Sequence, residues 1–203
     1  MEHDQSNLDY FTLINYIVVV KNRGQNLTFS QRISEFLIRF FYPSRSSSPV
    51  HFKNTLHKAS RVLVSCKTAD PPAVGIISMI SDLFPRKGTV VIIEQPGDKT
   101  GSTKLENVKV KPFYLGPVKD SLFHLSRNER LNSLLAHRFD LFIDLDPEFN
   151  LLTCYLARRL NAPVRIGFKK EASARYYNLE YNGVSKTYLK NLEGLLHFMK
   201  GLL

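Results

Sequence analysis

Arg138-Phe139-Asp140-Leu141-Phe142-Ile143-Asp144-Leu145-Asp146, followed by a helical run into Ala162-Pro163-Val164-Arg165-Ile166-Gly167-Phe168, decides the fold class of this chain. The first nine residues read as a buried strand: apolar side chains flank Asp144 and Asp146, and the two carboxylates fall where the strand should end. A connecting helix and a second strand follow. Strand, helix, strand is the repeating unit of a parallel α/β sheet. In open sheets of this kind ligands sit beyond the carboxyl ends of the strands, so the stretch suggests both an architecture and the place of a site.

Two carboxylates spaced by two on a strand point to the same side and can bind a metal or serve as acid and base. The competing reading is structural, with Asp146 capping the following helix and Pro147 at its first position. An Asp-x-Asp triplet is short and common by chance, so capping and turn formation is the expectation here.

Working outward toward the amino terminus, Ser126 is expected to cap a helix through about His137, with Glu129 placed for a capping box and Leu131, Leu134 and Leu135 inward. Val108–Leu115 reads as a strand interrupted by Pro112, Ile76–Phe84 as a short helix, and Arg61–Cys66 as the first strand. Thr89–Glu94 is apolar on both faces, as a central parallel strand should be. Toward the carboxyl terminus, Arg175–Tyr181 reads as a short strand. Ser185 is expected to cap a closing helix with Leu189, Leu192, Leu195, Leu196 and Met199 at helical spacing. The chain thus divides into an amphipathic helical extension and linker over 1–57, a Rossmann-like domain over 58–184 and a closing helix over 185–203.

In the extension, Tyr10–Val20 is an apolar run that length and β-branching leave open between helix and strand. Thr28-Phe29-Ser30-Gln31 has capping-box spacing and opens a helix that Pro43 stops. That helix places Ile33, Phe36, Leu37, Phe40 and Phe41 on one face, with Arg32 and Arg39 flanking it. Such a face suits the core, a protein partner, or an anionic membrane interface with arginines against lipid phosphates. Ser44–Pro49 reads as a polar linker.

The 203 residues, 43% apolar and 23% charged, can bury a sizeable core, and the formal net charge of +10 favours polyanions. Nucleic acid is the weakest of these, because no stacking-aromatic or recognition-helix pattern accompanies the charge. Cys66 and Cys154 are too few and too far apart for a zinc site or a disulfide framework, and both sit in apolar contexts. The six histidines lack ligand spacing, so no metal is expected. The first strand–helix loop, Lys67–Gly75, holds one glycine and two prolines. Prolines remove amide donors, which argues against a phosphate nest and hence against a dinucleotide cofactor.

Asp70 in that loop is the other acidic candidate, with an Asx turn before Pro71 as its structural alternative. Arg158, Arg159, Arg165, Lys169, Lys170 and Arg175 gather around the ends of the last strands, as an anion-binding rim or a solvated edge. Tyr10–Val20 lacks a small-residue cleavage site and falls short of the ~20 residues a bilayer span needs. These features point to a cytoplasmic protein, with peripheral contact at the inner membrane face as the extension's further possibility.

Val62-Leu63-Val64-Ser65-Cys66-Lys67-Thr68, Arg138–Leu145 and Ala157–Phe168 together resemble the N-terminal half of family 9 glycosyltransferases, the heptosyltransferase-like enzymes of bacterial lipopolysaccharide synthesis. Arg165-Ile166-Gly167-Phe168 is the most specific piece, and Ala172–Asn178 is similar to the segment that follows it there. The resemblance covers residues 60–182 and implies a single half of the two-domain GT-B arrangement, the half that receives the acceptor sugar. It implies acceptor or anion binding by Lys67, Thr68, Arg165, Lys169, Lys170 and Arg175, and a phosphorylated or acidic sugar as ligand.

The family's catalytic aspartate comes from the first loop. With Lys67-Thr68 aligned, Ala73 falls at that aspartate's position and Ile76 near a following histidine, while Asp70 is displaced. The chain also ends about where the family's donor domain begins. The leading expectation is therefore a catalytically degenerate binding or scaffold domain without cofactor, partnered through Ile33, Phe36, Leu37, Phe40 and Arg39. The alternative is the acceptor half of a split glycosyltransferase with Asp70 as base.

Overall fold

The computed structural model describes residues 29–42, 51–66, 79–80, 83–84, 89–94, 110–114, 122–170, 173–185 and 187–203. Helix α1 spans Phe29–Phe41 and helix α2 Phe52–Lys58. Strands β1 (Arg61–Cys66), β2 (Thr89–Glu94) and β3 (Val110–Tyr114) follow, then helices α3 (Leu122–Arg127) and α4 (Glu129–Leu135). The opening stretch supplies β4 (Leu141–Asp144), α5 (Leu151–Arg159) and β5 (Val164–Phe168). A 3₁₀ turn (Ser173–Arg175), β6 (Leu179–Tyr181) and α6 (Tyr188–Leu202) complete the described chain.

The strands form one all-parallel sheet in the order β3-β2-β1-β4-β5-β6. This is the doubly wound, Rossmann-like order, whose direction reverses between β1 and β4. Val62, Leu63 and Val64 of β1 and Leu141, Phe142 and Ile143 of β4 are fully buried, as they must be in central strands covered on both faces. Alternation then divides the core. Val62, Val64, Leu141, Ile143, Val164 and Ile166 meet α2 and α6 through Leu56, Leu192, Leu195 and Met199. Leu63 and Phe142 point the other way, into Leu131, Leu134, Leu151, Tyr155, Leu156 and Ile38 of α4, α5 and α1. Each such side chain stabilises the fold by roughly 1.5–3 kcal/mol of transfer free energy before entropy is counted.

Pro112 is tolerated because β3 is the outermost strand, where a missing amide donor breaks no inner ladder. Three capping expectations are corrected. Asn128, not Ser126, caps the helix before His137: its Oδ1 accepts from Leu131 N at 3.0 Å, which splits the predicted helix into α3 and α4. Asn150, not Asp146, caps α5, accepting from Leu152 N at 2.9 Å. Ser185 bonds Thr187 N and the Asn191 side chain, so α6 starts later, and Leu189 is exposed. Helix α2, in a stretch with no predicted element, packs Leu56 into the core against β5 and α6.

Helix α1 packs on α5, but not by the predicted face. Its buried stripe is Ser34, Glu35 and Ile38, while Ile33, Phe36 and Leu37 are half-buried and Phe40 and Phe41 are exposed. Glu35 explains the inversion: its Oε1 accepts from Arg175 Nη1 and from Tyr176 OH, each at 3.2 Å, and Arg39 Nε lies 4.0 Å away. A carboxylate held by such partners can be buried at a tolerable desolvation cost.

Candidate functional site

The crevice at which this strand order reverses lies beyond the carboxyl ends of β1 and β4, where Ser65 pairs with Asp144. The local sequence builds the β4 side as a chain of turns. Leu145 N donates to Ser65 O at 2.9 Å, which carries the chain one residue past the strand. Asp144 Oδ1 then accepts from Asp146 N at 3.0 Å, and Asp146 Oδ1 accepts from Glu148 N at 3.0 Å. These are two successive Asx turns, the second across Pro147. Asp146 Oδ2 accepts from Asn150 Nδ2 at 3.1 Å and so reaches the residue that caps α5. Asp146 is thus a turn former rather than a cap, and its carboxylate is used at both oxygens.

Asp144 is wholly buried, and its Oδ2 receives Lys170 Nζ at 2.7 Å and the Tyr177 hydroxyl. Lys170 also donates to Asp146 O and Glu148 O, both at 2.8 Å. All three ammonium protons are therefore directed into the β4–α5 turn. Lys170 is held from its own side by Ser173, whose Oγ accepts from Lys170 N at 2.9 Å. Burial, then the neighbouring Asp144 charge, pushes the Tyr177 hydroxyl well above its ordinary pKa, so it is a donor to Asp144. The Tyr177 ring lies against Gly167, where an added Cβ would come within 3.1 Å of it. Here the glycine is required for close approach rather than for an unusual backbone angle.

The arrangement can tie the ends of β4 and β5 together. Asp144 is not presented to a ligand. Burial also pushes the Cys154 thiol beneath this lock far upward, so Cys154 is an inert thiol.

The remaining predicted site residues are dispersed. Lys169 is exposed at the end of β5, its amide donating to Tyr181 O at 2.8 Å. Arg165 turns toward α5 and donates from Nη1 to Ala157 O at 3.0 Å. Burial, with Arg158 adding like-charge repulsion, lowers its pKa. The Nε atoms of Arg158 and Arg165 are buried without a partner. Arg175 serves Glu35 of α1, on the α5 side of the sheet, with its side chain 45% exposed. Lys67, Thr68 and Asp70 lie outside the described residues. Among the described residues no group of three or more His, Cys, Asp and Glu side chains is placed to hold a metal ion.

Sequence reasoning missed Tyr177, Tyr176, Ser173 and Glu35. A signal existed for the first lock, because Lys170 and Asp144 follow adjacent strand ends with opposite charges. None existed for Glu35, which meets Arg175 and Tyr176 from 140 and 141 positions away.

No protein-family model matches the chain, and no curated protein matches it. Among solved structures, the E. coli heptosyltransferase WaaC with ADP is similar at 13% identity and a TM-score of 0.45. The match covers 68% of this chain and 46% of that one, so the chain spans under half the length of that enzyme.

Proposed function

We propose that the Rossmann-like unit is an acceptor-side glycosyltransferase-like domain that binds a phosphorylated or acidic sugar and does not by itself transfer one. One observation supports the last part of this reading, that the chain alone does not transfer sugar. The acid at the β1/β4 reversal, where a base would be useful, is buried and fully engaged by Lys170, Tyr177 and Asp146 N. A general base needs a carboxylate within reach of the proton it removes, and Asp144 offers none.

Ligand binding falls to the basic residues of this edge, with Lys169 exposed at the end of β5, and to Lys67 and Thr68 of the first loop. Lys170 contributes indirectly, by fixing the β4–α5 turn. Titration of the purified chain with sugar phosphates should give saturable binding that weakens several-fold in Lys169→Glu. Product formation from any nucleotide sugar, abolished by Asp70→Ala, would overturn the proposal in favour of an active acceptor half.

A further inference from the structure

Helix α1 presents two faces whose roles are the reverse of what its sequence pattern predicts. Ile38 is buried and Glu35 is bonded to Arg175 and Tyr176, which fixes the rotation of the helix on α5. Positions two apart on a helix point about 200° apart, so Phe40 is turned away from the stripe that holds Ile38. Phe29, Phe40 and Phe41 are 63%, 54% and 61% exposed. Phe40 stacks on Phe36 with centroids 6.3 Å apart and meets Phe41 edge-on at 5.3 Å, so the aromatic surface is continuous along the outer side.

Basic side chains border it. Arg39 belongs to the same helix, and Arg159 lies over the Tyr42 ring at its end, 4.9 Å from the centroid. The whole chain carries +10.

We propose that this outer face of α1 docks onto an anionic lipid bilayer, with Phe29, Phe40 and Phe41 entering the headgroup–acyl boundary and the bordering arginines facing lipid phosphates. Charge selects this occupant over a second copy of the chain, which would bring another +10 against the same rim. The helix lies in the interface rather than crossing it. Its 13 residues extend about 20 Å, and no helix among the described residues is long and apolar enough to span a membrane. Ser34, Ile38 and Glu35, the last committed to Arg175 and Tyr176, already fill the inner face, so the aromatics have no competing core position. This docking is independent of whether the sheet edge binds or transfers sugar.

Flotation of the full chain with vesicles tests it. The chain should float with phosphatidylglycerol-containing vesicles, remain behind with pure phosphatidylcholine, and lose binding as salt rises. Phe40→Ser/Phe41→Ser should weaken binding at least about tenfold, given the apolar area withdrawn from insertion. Its circular dichroism and melting temperature should be unchanged, since both side chains are exposed.

The chain contains no tryptophan, so Phe41→Trp supplies a single reporter whose emission should shift to the blue on the anionic vesicles. Equal flotation of the double-serine variant, equal binding to neutral vesicles, or an unshifted emission spectrum from the Phe41→Trp variant would overturn the proposal. So would a concentration-dependent dimer of the native chain that the double-serine variant abolishes, because the face would then belong to a second copy.

Discussion

Asp140 and Asp144 sit at opposite ends of one strand and do comparable jobs in different media. At the amino end, Asp140 Oδ2 accepts from Ser60 N at 2.8 Å, Ser60 Oγ at 2.9 Å and Arg61 N at 3.0 Å. Together with the bond from Asp140 N to Arg61 O, these tie the start of β1 to the start of β4 in partial contact with water. At the carboxyl end, Asp144 joins β4 to the segment after β5 inside the protein, with a lysine, a tyrosine and an amide. Water stabilises the first carboxylate whether or not its partners hold. The second depends on them, because a lone charge in the interior costs several kcal/mol. The difference shows how the fold uses the two ends of β4: the acid at the carboxyl end is enclosed and fixes the shape of that edge.

The sharpest way to break this contrast is Lys170→Met. It leaves Asp144 buried with its cation gone, and the expected loss is about 3–5 kcal/mol. For a chain of this size that corresponds to a fall in melting temperature of roughly 6–20 °C. Asp144→Asn/Lys170→Met should recover part of the loss, since the double variant buries no unpaired charge. If Lys170→Met melts within a degree or two of the native chain, Asp144 does not depend on its cation and the two ends of β4 are alike.

Tyr177→Phe comes next. It removes one hydrogen bond to a charged acceptor that keeps its other partners, and denaturant titration should register a loss of about 1.5–3 kcal/mol. It also carries a pH signature. The folded pKa of Tyr177 lies well above the ordinary value near 10, so the folded chain keeps a proton that the unfolded chain releases. The associated stability is complete below about pH 10 and falls as pH rises beyond it. Tyr155, which burial pushes up to about 12, adds to the same alkaline decline. Tyr177→Phe should flatten that limb relative to the native chain. An unchanged slope would mean that Tyr177 ionises as readily folded as unfolded.

How far the sequence discloses these features follows from range. β1, β2 and β5 are legible because strands of a parallel sheet are short apolar runs; the observed limits of β1 and β2 equal the predicted ones, and β5 falls within the quoted Ala162–Phe168 run. β4 is legible as an element but ends at Asp144, because two Asx turns, not a continuing strand, carry Leu145 to Asn150. Among the caps, Asn128 and Asn150 displaced the predicted Ser126 and Asp146. Local pattern offers several plausible oxygens, and only the tertiary path decides which one meets a free amide.

The α1 stripe is legible as a stripe, while its direction is not. Periodicity reports that a helix has an apolar side without reporting what lies opposite it. The partners that turn this helix around are distant in sequence. The Asp144–Lys170–Tyr177 lock is intermediate, since its members follow neighbouring strands that the fold class already places side by side.

The smallest expected effect belongs to Asp140, and it tests the contrast from the other end. Partial burial raises its pKa, but the bonds from Ser60 N, Ser60 Oγ and Arg61 N, with Arg138 nearby, outweigh that, and the net shift is downward. A carboxylate whose folded pKa is depressed contributes stability above its unfolded pKa, near 3.9, and loses it as pH falls through the folded value. Asp140→Asn should therefore cost well under ~1 kcal/mol at pH 7, because solvent screens the interactions of a group that is only partly buried. Against the native chain, its denaturation midpoint should converge as pH drops below about 4. The decisive comparison is with Lys170→Met at pH 7. If Asp140→Asn is as damaging, the amino-end clasp is holding β1 to β4 as firmly as the buried lock holds β4 to β5. Solvent access would then not be what distinguishes the two aspartates.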